Sequence, residues 1–273
     1  RESVVGRSER KADADELRSM RGLVEKGMQA GAWGMSSGLI YVPSRYADAK
    51  ELGELAKIVG DRGGIYASHI RNEGSGLLQS IDEAMAVGRE GGCPVHISHL
   101  KATGKANWGT TKDACLAIEK ARAAGIKVSA DQYPYIASST RLAAMVVPHW
   151  AAQGTAADFT RIAADPAQGT KLRRAIEQDL EERGGGASIR ISRYAKDTSI
   201  VGLDLAEIAR RRRTTPPEVV LDIERNGGAQ AISCGMSEAD VREVMTHDFV
   251  ATASDGSSHR PGGNDKPHPR AYG

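Results

Sequence analysis

The sequence predicts an α/β fold whose parallel sheet is interrupted by a long helical segment, and a (β/α) barrel is the leading architecture. Strand and helix patterns alternate over the first 140 residues, and a glycine commonly follows each helix. Such alternation is typical of parallel strands joined by right-handed crossovers. No GxGxxG follows the first strand and no GxxxxGK[ST] occurs, so the nucleotide-binding doubly wound folds lose support.

The composition excludes several classes of partner. The 273 residues carry 37 Lys and Arg against 35 Asp and Glu, a formal net charge of +2, which gives no reason to expect a nucleic-acid partner. No run of about 18 apolar residues could span a bilayer, so no membrane partner is expected either. Cys93, Cys115 and Cys234 show no metal-binding spacing. Their odd, sparse number fits a reducing compartment, and a cytoplasmic location is expected.

The elements of the first part follow from apolar periodicity. Leu17, Met20 and Leu23 recur at helical spacing before Gly31, which is a plausible end for the first helix. The same reasoning predicts helices over 12–31, 47–61, 77–89 and 111–124, and strands over 33–41, 65–70, 94–99 and 127–131.

The alternation of strand and helix patterns stops after Tyr135. Residues 141–246 are mainly helical with one candidate strand over 188–192, and the next clear strand is 249–254. A connection of this length far exceeds an ordinary βα loop, so a helical insertion is predicted before the last strand. The predicted domains are therefore barrel βα units over 1–140, the insertion over 141–246, and the last strand with its active-site loop over 247–273.

Two histidines stand where predicted strands end. His69 closes one strand and His99 the next, and catalytic groups of parallel barrels lie at this edge. Because side chains alternate along a strand, His96 and His99 are expected on opposite faces. His99 opens the loop and is the better candidate, which leaves His96 a packing or supporting role.

Asp255 follows the predicted strand 249–254 in the same way and precedes Gly256. A carboxylate at this position could bind a metal or transfer a proton. Each residue alone is weak evidence, since a strand-end histidine is more often structural and an Asp before Gly is commonly a turn. Two histidines and an aspartate at successive strand ends together predict a catalytic zinc site with an open position for water.

Further polar residues follow the predicted strands. They are Arg71, Asn72, Lys101, Asp131, Tyr133, Tyr135, Ser139, His259, His268 and Arg270. Arg270 could bind a substrate carboxylate in bidentate fashion, although a solvated loop arginine is the simpler expectation.

Several motifs together resemble the D-aminoacylase family, the N-acyl-D-amino-acid deacylases of the amidohydrolase superfamily. They are Gly34-Met-Ser-Ser-Gly-Leu-Ile-Tyr41, Tyr66-Ala-Ser-His-Ile-Arg-Asn-Glu-Gly74, His96-Ile-Ser-His-Leu-Lys101, Asn107-Trp-Gly109, Asp131-Gln-Tyr-Pro-Tyr135, Ser254-Asp-Gly256 and His268-Pro-Arg270. The resemblance covers nearly the whole chain and is weakest over 141–246.

The resemblance implies a TIM-like (β/α)8 metal-dependent hydrolase barrel, with residues 1–140 holding about strands four to seven. It implies that His69, His99 and Asp255 bind one or two zinc ions. Asp255 would also be the catalytic residue that takes a proton from the water and passes it to the leaving amine. The implied substrate is an N-acyl-D-amino acid, cleaved to a carboxylate and a free D-amino acid. The implied substrate-binding residues are Lys101, Tyr133, Ser139 and Arg270.

The sequence also departs from the family pattern. The family has a His-x-His pair on its first strand and a metal-bridging cysteine after it, and neither occurs here. A small β-domain built from both chain ends is missing as well. The chain therefore resembles a fragment holding the fourth to eighth strands. Expressed alone, it is expected to bind zinc weakly and to lack robust deacylase activity.

Two alternatives remain open at this stage. A dihydroorotase- or hydantoinase-like cyclic amidase commonly uses a carboxylated lysine on the fourth strand, and residues 33–41 contain no lysine. A non-catalytic barrel could instead bind a small acid through Arg270 without any metal. Loss or retention of metal on replacing His69 or His99 distinguishes the enzyme from the binding module.

Overall fold

The structure is a computed structural model of the chain and describes residues 1–256, 266 and 268–272. It divides into two compact units. The first unit comprises 1–102, 107–134 and 239–253, and the second comprises 103–106, 135–238 and 254–273.

The helices and strands are numbered along the chain. The strands are β1 (Gly34–Gly38), β2 (Ile65–His69), β3 (Val95–Ile97), β4 (Val128–Gln132), β5 (Ser138–Arg141), β6 (Ile189–Arg193), β7 (Gln230–Ser233) and β8 (Val250–Thr252). The helices are α1 (Glu2–Val5), α2 (Ala14–Gln29), α3 (Ala49–Gly60), α4 (Leu77–Gly91), α5 (Thr110–Ala123), α6 (Leu142–Val146), α7 (Ala156–Ala164), α8 (Pro166–Glu182), α9 (Leu205–Arg212), α10 (Pro216–Arg225) and α11 (Glu238–Met245).

The first unit contains a five-stranded parallel sheet in the order β1-β2-β3-β4-β8. Strand follows helix along most of this unit, which confirms the predicted α/β fold with parallel strands. The chain runs from β4 to β8 through all the elements between them, so the long segment before the last strand is confirmed as well.

The core of the first unit lies between the sheet and its helices. Tyr66, Val95, Ile97 and Ala130 are fully buried strand residues and pack with the apolar faces of α3, α4 and α5. A parallel sheet is covered by its crossover helices, so apolar residues on its strands are withdrawn from water. The polar residues at the strand ends are therefore held in place by a well-packed core.

The second unit contains a three-stranded antiparallel sheet, in the order β5-β7-β6, together with helices α6 to α10. The candidate strand over 188–192 is present as β6, but β5 and β7 were not predicted. The side chains of β5 are Ser, Ser, Thr and Arg, without apolar alternation. This strand forms through its backbone pairing with β7 rather than through a buried face. A separate core of apolar side chains, including Leu172, Ile189 and Val220, supports this unit.

No helix among the described residues is long and apolar enough to cross a membrane.

Candidate metal centre

The two candidate histidines are held by neighbouring strands of the first unit. His69 is the last residue of β2, and His99 follows the end of β3 by two residues. His99 has φ of 40°, outside the strand region, and its backbone N–H donates to Asp131 Oδ1 over 2.7 Å. Strand alternation does not apply to His96 and His99 as predicted, because β3 ends at Ile97 before it reaches His99. His99 is nevertheless the residue that meets His69.

The two imidazole rings face each other. His69 Nδ1 and His99 Nε2 lie 2.7 Å apart, with ring centroids at 4.4 Å and an interplanar angle of 73°. Burial is the main cause that lowers the pKa of His69 to about 4, and the neighbouring His99 and Lys101 contribute to this shift against the opposing charge of Glu73. His69 is therefore neutral at pH 7, and two ring nitrogens at this distance share one proton or one cation between them.

Glu73 joins these histidines, and the sequence reasoning did not assign it a role. Its Oε1 lies 3.0 Å from His99 Nδ1 and 4.0 Å from His69 Nε2. Among the residues that the structure describes, His69, Glu73 and His99 form the one group of His, Cys, Asp and Glu side chains close enough to hold a metal ion. The position of Glu73 four residues after the strand-end histidine His69 could have suggested a role at the site. Acidic residues are so common in loops, however, that this spacing alone does not distinguish it.

Lys101 and Tyr133, both predicted to bind substrate, complete this cluster. The Lys101 ammonium lies 2.5 Å from Glu73 Oε1 and 2.8 Å from His99 Nδ1, and it donates to the His99 carbonyl over 2.9 Å. It also lies 5.3 Å from the centre of the buried Tyr133 ring. Burial alone would raise the pKa of Glu73, but Lys101 and His99 hold it well below its usual range. Glu73 is therefore an anion beside a cation.

The donors of this cluster fit a zinc-type ion. Neutral imidazole nitrogens are common zinc ligands, and His69 Nδ1 and His99 Nε2 already face one another. The 2.7 Å between them is shorter than the about 3.3 Å between two tetrahedral ligands at zinc distances, so a small opening would admit the ion. The outer nitrogen of His69, Nε2, is buried without a hydrogen-bond partner. Such an orphaned group marks a site whose polar partners are incomplete.

The other predicted site residues, Asp255, Ser139 and Arg270, lie in the second unit. The Arg270 guanidinium pairs with the Asp255 carboxylate, donates to the Asp255 carbonyl over 2.7 Å, and donates to the carbonyl of Ser139. Arg270 is thus a bound residue with a side chain only 17% exposed, rather than the solvated loop arginine that was the simpler expectation.

Several of the remaining polar candidates have structural partners. Arg71 binds Glu83 and two backbone carbonyls, and the Asn72 side chain accepts from the backbone N–H groups of Gly74 and Gly76. His268 is buried between the Ala137 carbonyl and the Arg270 N–H, and burial lowers its pKa. His96 and Tyr135 contact Asp131 and His268 respectively. His259 lies outside the described residues.

The chain is similar to known deacylases over almost all of its length. N-acyl-D-glutamate deacylase of Alcaligenes xylosoxydans xylosoxydans is 34% identical over 260 residues, which are 95% of this chain and 44% of that protein. D-aminoacylase of the same organism is 31% identical over 100% of this chain and 47% of that protein. Over almost its whole length the chain is therefore homologous to N-acyl-D-amino-acid deacylases. It spans about half the length of the curated relatives it matches, and a scan against models of protein families matched none.

Solved structures of this deacylase family match the fold. N-acyl-D-glutamate deacylase of Bordetella bronchiseptica, complexed with zinc and a phosphonate mimic of the tetrahedral intermediate, has a TM-score of 0.76 at 30% identity. That match covers 96% of this chain and 46% of the other. A D-aminoacylase described by its binuclear metal centre has a TM-score of 0.74 at 30% identity, over 99% of this chain and 48% of the other. The predicted fold and family resemblance are thereby confirmed.

Proposed function

We propose that the protein is a zinc-dependent hydrolase that cleaves the amide bond of N-acyl-D-amino acids to a carboxylate and a free D-amino acid. One observation carries the proposal: in a chain homologous to these deacylases, His69 Nδ1 and His99 Nε2 face each other at the ends of adjacent parallel strands. The similarity to a deacylase complexed with zinc supports the choice of metal.

His69 and His99 are the residues that would hold the metal. A bound zinc ion would polarise the acyl carbonyl and make the attacking water more acidic. His69 ends β2 and His99 lies in the loop directly after the adjacent strand β3, so the two rings need little reorganisation to bind. The low pKa of His69 keeps its ring unprotonated. Lys101 and Tyr133 line the same cluster and would contact the substrate from that side.

Asp255 is proposed as the catalytic residue and a further metal ligand, and the family motif Ser254-Asp-Gly256 supports both roles. Its carboxylate would accept a proton from the attacking water and give it to the amine nitrogen as the amide bond breaks. Arg270 is proposed to bind the D-amino-acid carboxylate, with Ser139 as its neighbour. Because Arg270 already pairs with Asp255, an incoming carboxylate would compete for the same guanidinium and leave Asp255 less restrained.

The test is a hydrolysis assay on the protein made from its complete reading frame. N-acetyl-D-glutamate, N-acetyl-D-aspartate and N-acetyl-D-methionine are compared with their L enantiomers and with hydantoin, and zinc content is measured by mass spectrometry. We expect selective hydrolysis of at least one D substrate. His99→Ala should lose both zinc and activity, while His149→Ala, outside the cluster, should keep both.

Hydrolysis of hydantoin alone, or D-selective activity that survives His99→Ala, would contradict the proposal. The 273 residues expressed by themselves are expected to bind zinc weakly and to show no robust turnover. Full turnover with stoichiometric zinc would contradict that expectation.

A further inference from the structure

We propose that Glu73 is a positioning residue of this metal centre: its carboxylate holds the His99 ring in the tautomer protonated at Nδ1, so that Nε2 keeps its lone pair facing His69. The inference rests on the proposed metal site formed by His69 and His99. It gives a role to a residue that lies inside the motif Tyr66–Gly74 but was assigned no function from the sequence.

The first step is the placement of Glu73 on one side of the His99 ring. Glu73 Oε1 lies 3.0 Å from His99 Nδ1, while the opposite nitrogen, Nε2, lies 2.7 Å from His69 Nδ1. The two nitrogens of one imidazole ring point in different directions. The nitrogen that faces His69 is therefore free to bind a metal only when the proton sits on the nitrogen that faces Glu73. Metal-binding histidines commonly donate their other N–H to a carboxylate in this way.

The second step is the competition from Lys101. The Lys101 ammonium is 2.8 Å from His99 Nδ1 and could donate to it. That bond would require a lone pair on Nδ1 and would move the ring proton to Nε2, into the space between the two histidines. The ammonium has two other acceptors, Glu73 Oε1 at 2.5 Å and the His99 carbonyl at 2.9 Å. A carboxylate is a far stronger acceptor for an ammonium than a neutral ring nitrogen, so Lys101 donates to Glu73 and to the His99 carbonyl even though its Nζ lies beside the ring.

Glu73 is badly placed to bind the metal directly, because Lys101 already occupies its carboxylate. An ion shared by Glu73 Oε1 and His69 Nε2, which are 4.0 Å apart, would lie beside the Lys101 ammonium. The ammonium already lies 2.5 Å from that oxygen and is only 3% exposed, so water cannot screen the repulsion between the two cations. Lys101 contacts His99 at Nδ1, whereas the nitrogen that faces His69 Nδ1 is Nε2, on the other side of the ring. Glu73 therefore acts through His99 and Lys101.

The first experiment reads the tautomer without metal or substrate. The chain is labelled with 15N-histidine and stripped of metal, and long-range 1H–15N correlation spectra are recorded at pH 7.5. The His99 signals are assigned by their loss in His99→Gln. We expect a protonated Nδ1 and an unprotonated Nε2 on His99. A proton on Nε2 and none on Nδ1 would overturn the proposal.

The second experiment measures zinc affinity by competition with a chromophoric chelator. Glu73→Gln keeps the size of the side chain but removes its charge, and it should weaken zinc binding about 10- to 100-fold. The matched control is Glu51→Gln, which replaces a buried carboxylate of the same unit that pairs with Arg1 instead. Glu51→Gln should bind zinc as the unmodified chain does.

The outcomes separate this inference from the proposed function. If the unmodified chain binds no zinc, the metal site itself fails. If the unmodified chain and Glu73→Gln bind zinc equally, only the role of Glu73 fails. Circular dichroism establishes that each variant is folded, and if Glu73→Gln does not fold, the tautomer of the unmodified chain decides the question by itself.

Discussion

The orientation of His99 depends on contacts to its backbone as well as to its ring. A non-glycine residue at φ of 40° adopts a sparsely populated conformation that needs support from its surroundings. Asp131 accepts the His99 N–H and Lys101 donates to the His99 carbonyl, so both backbone polar groups are fixed. Burial opposes ionisation of Asp131, but His96 and the His99 N–H keep its pKa below its ordinary value.

Asp131→Ala should therefore release the His99 backbone. The variant leaves the His99 N–H and the His96 ring without their acceptor, which should lower the free energy of unfolding by about 1–3 kcal/mol and also weaken zinc binding. Urea unfolding and a zinc titration measure the two effects. Ser129→Ala removes only the hydrogen bond between Ser129 and His96 Nδ1. It should have a smaller effect than Asp131→Ala on both the free energy of unfolding and zinc binding. An Asp131→Ala variant that binds zinc like the unmodified chain would contradict this account.

The sequence predicted the cluster in part. The predicted positions of His69 and His99 at strand ends, and the two motifs that contain Lys101 and Tyr133, selected four residues that do lie together. Glu73 lies in the same motif as His69, but it was assigned no role because a carboxylate in a polar loop has no periodicity to distinguish it. Its role depends on contacts with His99 and Lys101, which lie in the loop after the next strand, β3.

At the scale of elements, close helix packing in the first unit requires glycine. A Cβ added to Gly91, the last residue of α4, would lie 2.5 Å from the Ala56 Cβ and within 3 Å of the Ala56 backbone on α3. Backbone atoms cannot move aside as a flexible side chain can. The contact between α3 and α4 therefore depends on the missing side chain.

Two glycine-to-alanine changes should have opposite signs. Gly91→Ala should destabilise the chain by about 1–3 kcal/mol because it overpacks the contact between helices. Gly22→Ala, inside α2 with nothing within 4 Å of the new Cβ, should stabilise it by about 0.5–1 kcal/mol. Urea denaturation of both variants measures the difference. A stabilising Gly91→Ala would contradict the packing described.

A buried carboxylate on α10 makes the stability of the second unit depend on pH. Burial raises the pKa of Glu224 to about 7, opposed by Arg141 and by the backbone N–H of Ala143, and its Oε1 lacks a hydrogen-bond partner. The folded carboxyl keeps its proton to a higher pH than the unfolded one. Between about pH 4.5 and pH 7 the folded state therefore binds more protons, and stability falls as pH rises.

Glu224→Gln should remove this dependence. The variant should gain about 3 kcal/mol relative to the unmodified chain at pH 8, and much less at pH 5, where the native carboxyl is also neutral. Urea unfolding at the two pH values measures the gain. The control is Glu218→Gln, which lies on the same helix in an exposed pair with Arg173. It should change the free energy of unfolding by a similar small amount at both pH values. An equal gain for Glu224→Gln at pH 5 and pH 8 would contradict the assignment.

Most elements of the first unit were predictable because their apolar residues repeat at a helical or strand period. The predicted helix over 12–31 is present as α2, and the strand over 127–131 is present as β4. The strands β5 and β7 were not predictable in the same way. They are four residues each, and they are defined by pairing with partners distant in sequence rather than by their own pattern.

At the scale of the whole molecule, two units with separate cores are built from one chain. The first unit consists of three segments, because the chain leaves it after β4 and returns for β8. Its sheet order, β1-β2-β3-β4-β8, places β2 and β3 next to one another, and this adjacency brings the loop residue His99 to His69. The proposed metal site thus depends on strand order more than on any local motif. The relatives are about twice as long as this chain.

The central claim is that His69 and His99 hold a zinc ion between them, and anomalous X-ray diffraction tests it most directly. Crystals grown with zinc are measured just above and just below the zinc absorption edge. The account predicts an anomalous peak that lies between the two rings, about 2.0–2.1 Å from both His69 Nδ1 and His99 Nε2, with Glu73 hydrogen-bonded to His99 Nδ1. Zinc bound elsewhere, with the two rings still hydrogen-bonded to each other, would contradict it.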